Sequence, residues 1–131
     1  MHKFFHLKYL LAGSVTADKT TLSRLALHGD KKIRCRLAEN YRCPSELLSD
    51  LAEDDEAEVR IAVALNPRTE MPILRALSSD PNPDVRYMIA SAAYIPVGIL
   101  TKLCTDDNPY VRLRAGRTLR RLCPSGKGGE A

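Results

Sequence analysis

The sequence predicts an all-α protein, a solenoid of short two-helix repeats with a period of 26 residues. Apolar residues recur at helical spacings of three and four, and no run of alternating β-branched residues is bounded by hairpin turns. A fixed period of this length is typical of repeat arrays, in which each unit buries its apolar face against its neighbours. An aliphatic residue followed by arginine marks the period, as Ile33-Arg34, Val59-Arg60, Val85-Arg86 and Val111-Arg112.

The first helix of each unit is predicted around a basic residue, which we call the ladder position. A small residue follows four positions later in every copy, and this indicates a close approach between neighbouring helices. In the third copy, Asn66-Pro67 predicts the end of the helix. The ladder positions are Lys8, Arg34, Arg60, Arg86 and Arg112, and the small residues are Ala12, Ala38, Ala64, Ala90 and Gly116.

A second helix is predicted after a short break, because two leucines three residues apart recur on one helical face in each unit. Pro44 and Pro96 suit a first helical turn, where a missing N–H costs nothing, and Thr69 suits an N-cap. An acidic loop then leads to the next unit. The recurring leucines are Leu22, Leu48, Leu74 and Leu100, followed by Leu25, Leu51, Leu77 and Leu103.

The last copy departs from this pattern. No Asn-Pro break follows Thr118, so "VRLRAGRTLRRL" is predicted to continue as one capping helix to Cys123-Pro124. We therefore predict a single helical-repeat domain over residues 1–123, with four repeats and this cap. The Gly-rich residues 124–131 are predicted to form a flexible tail.

Charge is distributed unevenly around the net value of +4. Residues 1–34 carry seven basic residues (Lys or Arg) and two acidic ones. Residues 35–111 carry seven basic and thirteen acidic residues, and residues 112–131 carry six basic residues and one acidic residue. This distribution argues against a uniformly basic surface for nucleic acid, but either basic end could attract an anionic partner. The alternative is that the charges only keep the protein surface solvated. No stretch approaches the length needed to span a bilayer. His6 and Lys8 interrupt the apolar opening, so we expect no signal peptide.

No pattern of residues predicts catalysis, a metal or a cofactor. The four cysteines form no CxxC pair, and reduced thiols in a cytoplasmic protein are the plain interpretation. Cys35 and Cys104 fall in apolar or small columns of the repeat and are interpreted as core residues. His2 and His6 lack a third ligand. The acidic run at residues 53–58 could hold a divalent cation weakly. Its carboxylates could instead simply lie at the start of a helix, where the helix dipole favours negative charge.

The ladder arginines stand in the first turn of a helix, where the helix dipole disfavours a cation. Asp54, Asp80 and Asp106 precede Arg60, Arg86 and Arg112 by six residues each. A structural ladder of Asp–Arg hydrogen bonds along the stack would explain these cations, with Asp80 as the expected partner of Arg86. The alternative is that the arginines grip a phosphate or carboxylate, and Arg34, which has His28 in place of the aspartate, is then the expected unpaired case.

The run "VRIAVALNPRTEMPILRALSSDPNPDVR" resembles the leucine-rich repeat variant family and, more distantly, HEAT repeats. The resemblance covers residues 7 to about 119. It implies a right-handed superhelix in which one helix per unit can be of the 3₁₀ type, and it implies a non-catalytic binding scaffold. The family's founding member carries an N-terminal cysteine cluster for an iron–sulfur centre. This sequence has no cysteine before Cys35, so that role does not carry over.

We therefore expect a scaffold that binds another macromolecule, with a protein favoured as the partner. The candidate binding face lies on the last helix and comprises Arg112, Arg114, Arg117, Arg120 and Arg121. The alternatives are nucleic-acid binding through the basic terminal helices and a face that only keeps the capping helix soluble. Few aromatic residues are present for base stacking, which counts against single-strand binding. The oligomeric state is left open.

Overall fold

The structure, a computed structural model, describes residues 2–124, with side chains from Phe4 onward. In this part of the chain the secondary structure consists of nine α-helices without a strand, so the all-α prediction is confirmed. Of the predicted tail, Pro124 is described and exposed, and residues 125–131 lie outside the described residues.

The helices alternate between two layers. Layer A holds the first helix of each unit: α1 (His2–Ala12), α3 (Lys31–Glu39), α5 (Ala57–Leu65), α7 (Pro83–Ser91) and α9 (Pro109–Leu122). Layer B holds the second helix of each unit: α2 (Lys19–His28), α4 (Ser45–Leu51), α6 (Met71–Leu77) and α8 (Val97–Leu103). Both helices of every unit are α-helices, so the 3₁₀ helix that the resemblance allows does not occur among the described residues.

Each helix of layer A packs directly on the next helix of that layer, and each helix of layer B packs on the layer A helix that follows it. The predicted small residues lie at the layer A contacts: Ala38, Ala64 and Ala90 are at most 1% exposed. The recurring leucines of layer B, such as Leu48 and Leu100, fill the space between the layers. The chain is thus an α-solenoid with one continuous core.

Polar residues set the helix starts. Asp18 and Asp30 accept a backbone N–H at the starts of α2 and α3, and Asn82 and Asn108 do so for α7 and α9. The prediction of Thr69 as an N-cap is wrong. Glu70 holds that position.

The buried Thr69 hydroxyl instead donates to the carbonyl of Val63, at 2.6 Å. A buried hydroxyl costs free energy unless it is hydrogen-bonded, and the free end of the preceding helix offers the acceptor. Pro44 and Pro96 stand at the N-cap rather than in the first turn.

Buried asparagines tie the ends of the layer A helices together. Asn66 Nδ2 donates to the carbonyl oxygens of Ala38 and Asn40, at 2.7 and 3.1 Å, and its Oδ1 accepts the N–H of Arg68. The carbonyl of Ala38 belongs to the last turn of α3, where carbonyls lack intrahelical donors, and that of Asn40, the C-cap, also accepts the N–H of Cys43. Asn40 makes the same bonds one unit earlier.

The next two units satisfy the equivalent carbonyls with different side chains. Ala92 occupies the asparagine position in the fourth unit and cannot donate. The hydroxyl of Tyr94 replaces it and donates to the carbonyl of Ala64, at 2.6 Å. Thr118 donates to the carbonyl of Ala90, also at 2.6 Å. The four helix ends are therefore closed by Asn40, Asn66, Tyr94 and Thr118 in turn.

Candidate protein-interaction surfaces

The ladder arginines make bidentate ion pairs between consecutive units. Nε and Nη2 of each arginine donate to the two carboxylate oxygens of the aspartate 20 residues later, at distances of 2.7 to 3.2 Å. Each aspartate also accepts the backbone N–H two residues further on, at 2.9 Å. The pairs are Arg34–Asp54, Arg60–Asp80 and Arg86–Asp106.

This pairing corrects the predicted one. The aspartate six residues before an arginine contributes its main-chain carbonyl, not its carboxylate: Arg86 Nη1 donates to the carbonyl of Asp80 at 2.6 Å. The expected Asp80–Arg86 ion pair within one unit is therefore wrong, and the carboxylate comes from Asp106 in the next unit. The long arginine side chain spans two helices that lie about 8–10 Å apart.

The prediction that Arg34 is the unpaired arginine is also wrong, because Asp54 of the next unit accepts its Nε and Nη2. Arg112 is the ladder arginine that makes no ion pair within residues 2–124. The equivalent acceptor position, 20 residues after Arg112, lies beyond the described residues.

The ion pairs shift the pKa values of the three paired arginines and of Asp106. The hydrogen-bonded aspartates raise the pKa values of Arg34, Arg60 and Arg86 above the ordinary arginine value. Burial alone would raise the pKa of Asp106, but the hydrogen bonds from Arg86 and from the Asn108 N–H outweigh burial and lower it. Arg86 and Asp106 are thus both held in their charged forms.

The predicted binding face is split between two sides of α9. Helical spacing places Arg114, Arg117 and Arg121 on one side, with Arg120 beside them near the helix end. We call these four residues the α9 patch. Arg112 lies apart, next to the loop that precedes the helix, and it is held there by main-chain carbonyls.

The α9 patch lines an open cavity of about 330 Å³ together with Thr118. No acidic residue lies on α9, and none of the described residues that line this cavity is acidic. The Nε of Arg114 is buried and has no hydrogen-bond partner among the described residues. A buried donor without an acceptor costs free energy. The cavity therefore concentrates several cations without a described carboxylate beside them.

A row of apolar side chains runs along the exposed face of layer A. We call it the outer row, and it contains Tyr9, Cys35, Ile61, Tyr87 and Leu113. Cys35 and Ile61 are half-buried, whereas the other three are exposed, Leu113 by 51%. Cys35 and Ile61 pack against the core, so the interpretation of Cys35 as a core residue is confirmed in part. Arg117 and Arg121 follow Leu113 at intervals of four residues, so the outer row ends at the α9 patch.

The other candidate residues are placed as follows. All four cysteines are free thiols, and burial raises the pKa of Cys43 to about 12, so it is a poor nucleophile. In the acidic run, Asp54 pairs with Arg34, and Glu56 and Glu58 lie within 3.9 Å of the Lys31 ammonium.

Metal-ligating and membrane-spanning features are equally absent from the part of the chain that the structure describes. It contains no group of three His, Cys, Asp or Glu residues that could hold a metal ion. None of its helices has the length and apolar character that a membrane crossing requires.

Two protein families match parts of the chain. The leucine rich repeat variant family matches residues 57–82, which span α5, α6 and the loop to α7. The HEAT repeat family matches residues 97–126, which span α8 and α9. No curated protein and no solved structure matches the chain. The described part of the chain is thus an all-helical repeat structure, in which residues 57–82 match the leucine rich repeat variant family and residues 97–126 match the HEAT repeat family.

Proposed function

We propose that this chain is a non-catalytic scaffold that binds another protein across the exposed face of layer A. Repeats of the two matched types generally serve as scaffolds for protein interaction. The observation that carries the proposal is the outer row, which runs along the layer A helices and ends at the α9 patch. Aromatic side chains such as Tyr9 and Tyr87 and arginines are enriched where proteins contact one another.

The partner that fits this face has an apolar stretch followed by acidic residues. The apolar stretch would cover the outer row, and the carboxylates would meet the α9 patch, whose four arginines line one open cavity. Charge complementarity of this kind gives specificity and speeds association. We propose that residues 1–123 act as one binding domain, because every layer A helix packs on the next. The free thiols support a cytoplasmic location.

The test is capture of partner proteins from a lysate of the native host, with the full chain as bait. Reversing Arg114, Arg117 and Arg121 to glutamate should reduce the captured proteins by tenfold or more, since like charges then face the acidic partner. The matched control reverses three exposed arginines elsewhere, Arg42, Arg68 and Arg75, and changes net charge equally. Equal capture by both variants and the parent chain would contradict the proposed face.

Nucleic-acid binding through α9 is the second candidate, favoured by the same cavity lined with arginines and no acidic residue. Phosphate contacts of this kind make affinity fall steeply with salt. Duplex DNA of random sequence should then bind at low salt and dissociate as salt rises, and the α9 patch variant should lose this binding. No binding at low salt would eliminate this candidate.

A further inference from the structure

Arg112 is held in the same way as the paired ladder arginines, although it makes no ion pair among the described residues. Its Nη1 donates to the carbonyls of Asp106 and Asp107, at 2.6 and 3.1 Å. Arg60 is anchored in the same manner, with Nη1 at 2.6 and 3.3 Å from the carbonyls of Asp54 and Asp55. The guanidinium of Arg112 is therefore fixed by the loop before its own helix.

The other edge of this guanidinium, formed by Nε and Nη2, has no acceptor within residues 2–124. In Arg60 and Arg86 the same edge holds a carboxylate with two hydrogen bonds. Arg112 is exposed, so this edge is open to solvent. Because the loop already orders the side chain, a carboxylate that binds here loses less conformational entropy than one that binds a mobile arginine.

We propose that this open edge binds an aspartate carboxylate of a partner protein, presented in the turn that starts a helix. The inner units define the geometry of such a ligand. In each of them the aspartate stands three residues before a helix, as Asp80 does before α7, and its carboxylate also accepts the N–H two residues on. The proposal deepens the proposed function and rests on it, because it names a partner feature of the same scaffold.

The surface beside Arg112 leaves room for a helix. Gly116 occupies the column in which Ala64 and Ala90 are buried against the next helix of layer A. A side-chain carbon added at Gly116 would have nothing within 4 Å. Leu113, which is 51% exposed, lies one turn away from Gly116 and offers an apolar contact. A partner helix can therefore approach this end as the next unit would.

A second copy of the chain does not supply the missing carboxylate by head-to-tail stacking. In such a stack α1 of the second copy would follow α9, and the residue six positions before its ladder position, Lys8, is His2 rather than an aspartate. The aspartates of suitable geometry already hold Arg34, Arg60 and Arg86. The described residues of α1 and those of α9 also carry basic side chains without an acidic one, so the two ends repel each other. The ligand we infer is an aspartate of a different protein.

The experiment follows the side-chain Nε–Hε signal of Arg112 by NMR in the ¹⁵N-labelled full chain, assigned with the variant Arg112→Lys. The probe is the acetylated, amidated peptide Thr-Asp-Asp-Asn-Pro-Tyr, the sequence of residues 105–110. The control peptide carries Asp106→Asn. We expect saturable movement of the Arg112 signal, with about tenfold weaker binding of the control peptide, since a charge-assisted pair is replaced by a neutral one.

The variant Arg112→Lys, which keeps the charge but not the two-pronged donor edge, should bind the aspartate peptide about tenfold more weakly than the parent chain. Three results would overturn the proposal. The first is an Arg112 signal that does not move when peptide is added, and the second is equal binding of the two peptides. The third is a movement of the signal in the free chain caused by Glu130→Gln alone, which would place the chain's own tail on the edge.

This test is separable from that of the proposed function, because Arg112→Lys leaves the α9 patch intact. Peptide binding at Arg112 together with unchanged capture by the α9 patch variant would reject the proposed face and retain this site.

Discussion

Arg86 lies in α7, which another described unit follows, whereas Arg112 lies in α9, the last helix of the described residues. Both sit at the same position of a layer A helix, and both donate Nη1 to the carbonyl six residues earlier, at 2.6 Å. Arg86 also holds Asp106 and its side chain is 16% exposed, whereas Arg112 is open to solvent. One residue in one geometry is therefore a structural element inside the stack and a binding site at its end.

The other end of the array shows the same rule for apolar residues. Val59 precedes a ladder position and is fully buried between α5 and its neighbours. Leu7 occupies the same column in α1, the first helix of the described residues, and is 54% exposed. The repeat specifies the side chain, but neighbouring units decide whether that side chain stabilises the fold or faces solvent.

Removing an inner carboxylate should have the largest effect. In Asp80→Ala the guanidinium of Arg60, 14% exposed, is left without its carboxylate. We expect a loss of about 3 kcal/mol in the free energy of unfolding, since breaking a nearly buried pair leaves an uncompensated charge. Urea unfolding followed by circular dichroism measures it. The control Asp107→Ala, an exposed residue, should change stability by less than about 0.5 kcal/mol. Equal losses in the two variants would contradict the ladder.

Loss of a buried asparagine should come next. Asn66→Ala leaves the carbonyls of Ala38 and Asn40 without their side-chain donor and the N–H of Arg68 without its acceptor. We expect a loss of about 2 kcal/mol in the free energy of unfolding, because a buried polar group that loses its hydrogen bond is no longer compensated for its desolvation. The same urea titration tests this, and a loss below about 0.5 kcal/mol would show that these bonds do not hold the layer A helices together.

The Arg86–Asp106 pair should make stability depend on pH at the acidic end. The folded-state pKa of Asp106 is lowered, so the pair's contribution is fully present above the unfolded value of about 3.9 and is lost as pH falls through the lower folded value. Urea midpoints measured from pH 7 to pH 3 should therefore decline more steeply for the parent chain than for Asp106→Asn. Parallel pH profiles would argue against this linkage.

Loss of the Tyr94 hydroxyl should reduce stability by a smaller amount, and a second substitution should restore part of the loss. Tyr94→Phe removes the donor to the carbonyl of Ala64 and should cost about 1 kcal/mol in urea unfolding. Adding Ala92→Asn restores a donor at the position that Asn66 occupies one unit earlier, and should recover part of the loss. A double variant no more stable than Tyr94→Phe would show that the two positions are not equivalent.

The repeat itself could be predicted from the sequence, because helical spacing and a fixed period mark the positions that must pack. The recurring leucines, the small residues at Ala38 and Ala64 and the long last helix all lie where the pattern predicted them. The match of two repeat families to the chain agrees with this prediction.

The pairing of the ladder could not be predicted, because each loop contains an aspartate and spacing along the chain does not say which unit its carboxylate reaches. Only the stacking of α5 on α7 brings Arg60 to Asp80. The exposure of the outer row could not be predicted for a related reason: Ile61, half-buried, and Ala62, buried, are both apolar, so periodicity alone does not reveal which lies closer to solvent. The hydroxyl of Tyr94 closing a helix end depends on a three-dimensional contact across 30 residues.

The most direct test of the contrast between the inside and the end of the array compares Arg86→Ala with Arg112→Ala in urea unfolding. Arg86→Ala leaves the carboxylate of Asp106, 9% exposed, without its cation, and we predict a loss of about 3 kcal/mol. Arg112→Ala removes an exposed side chain and should cost less than about 0.5 kcal/mol. Equal losses would contradict the account, because Arg112 would then already have a partner within the chain.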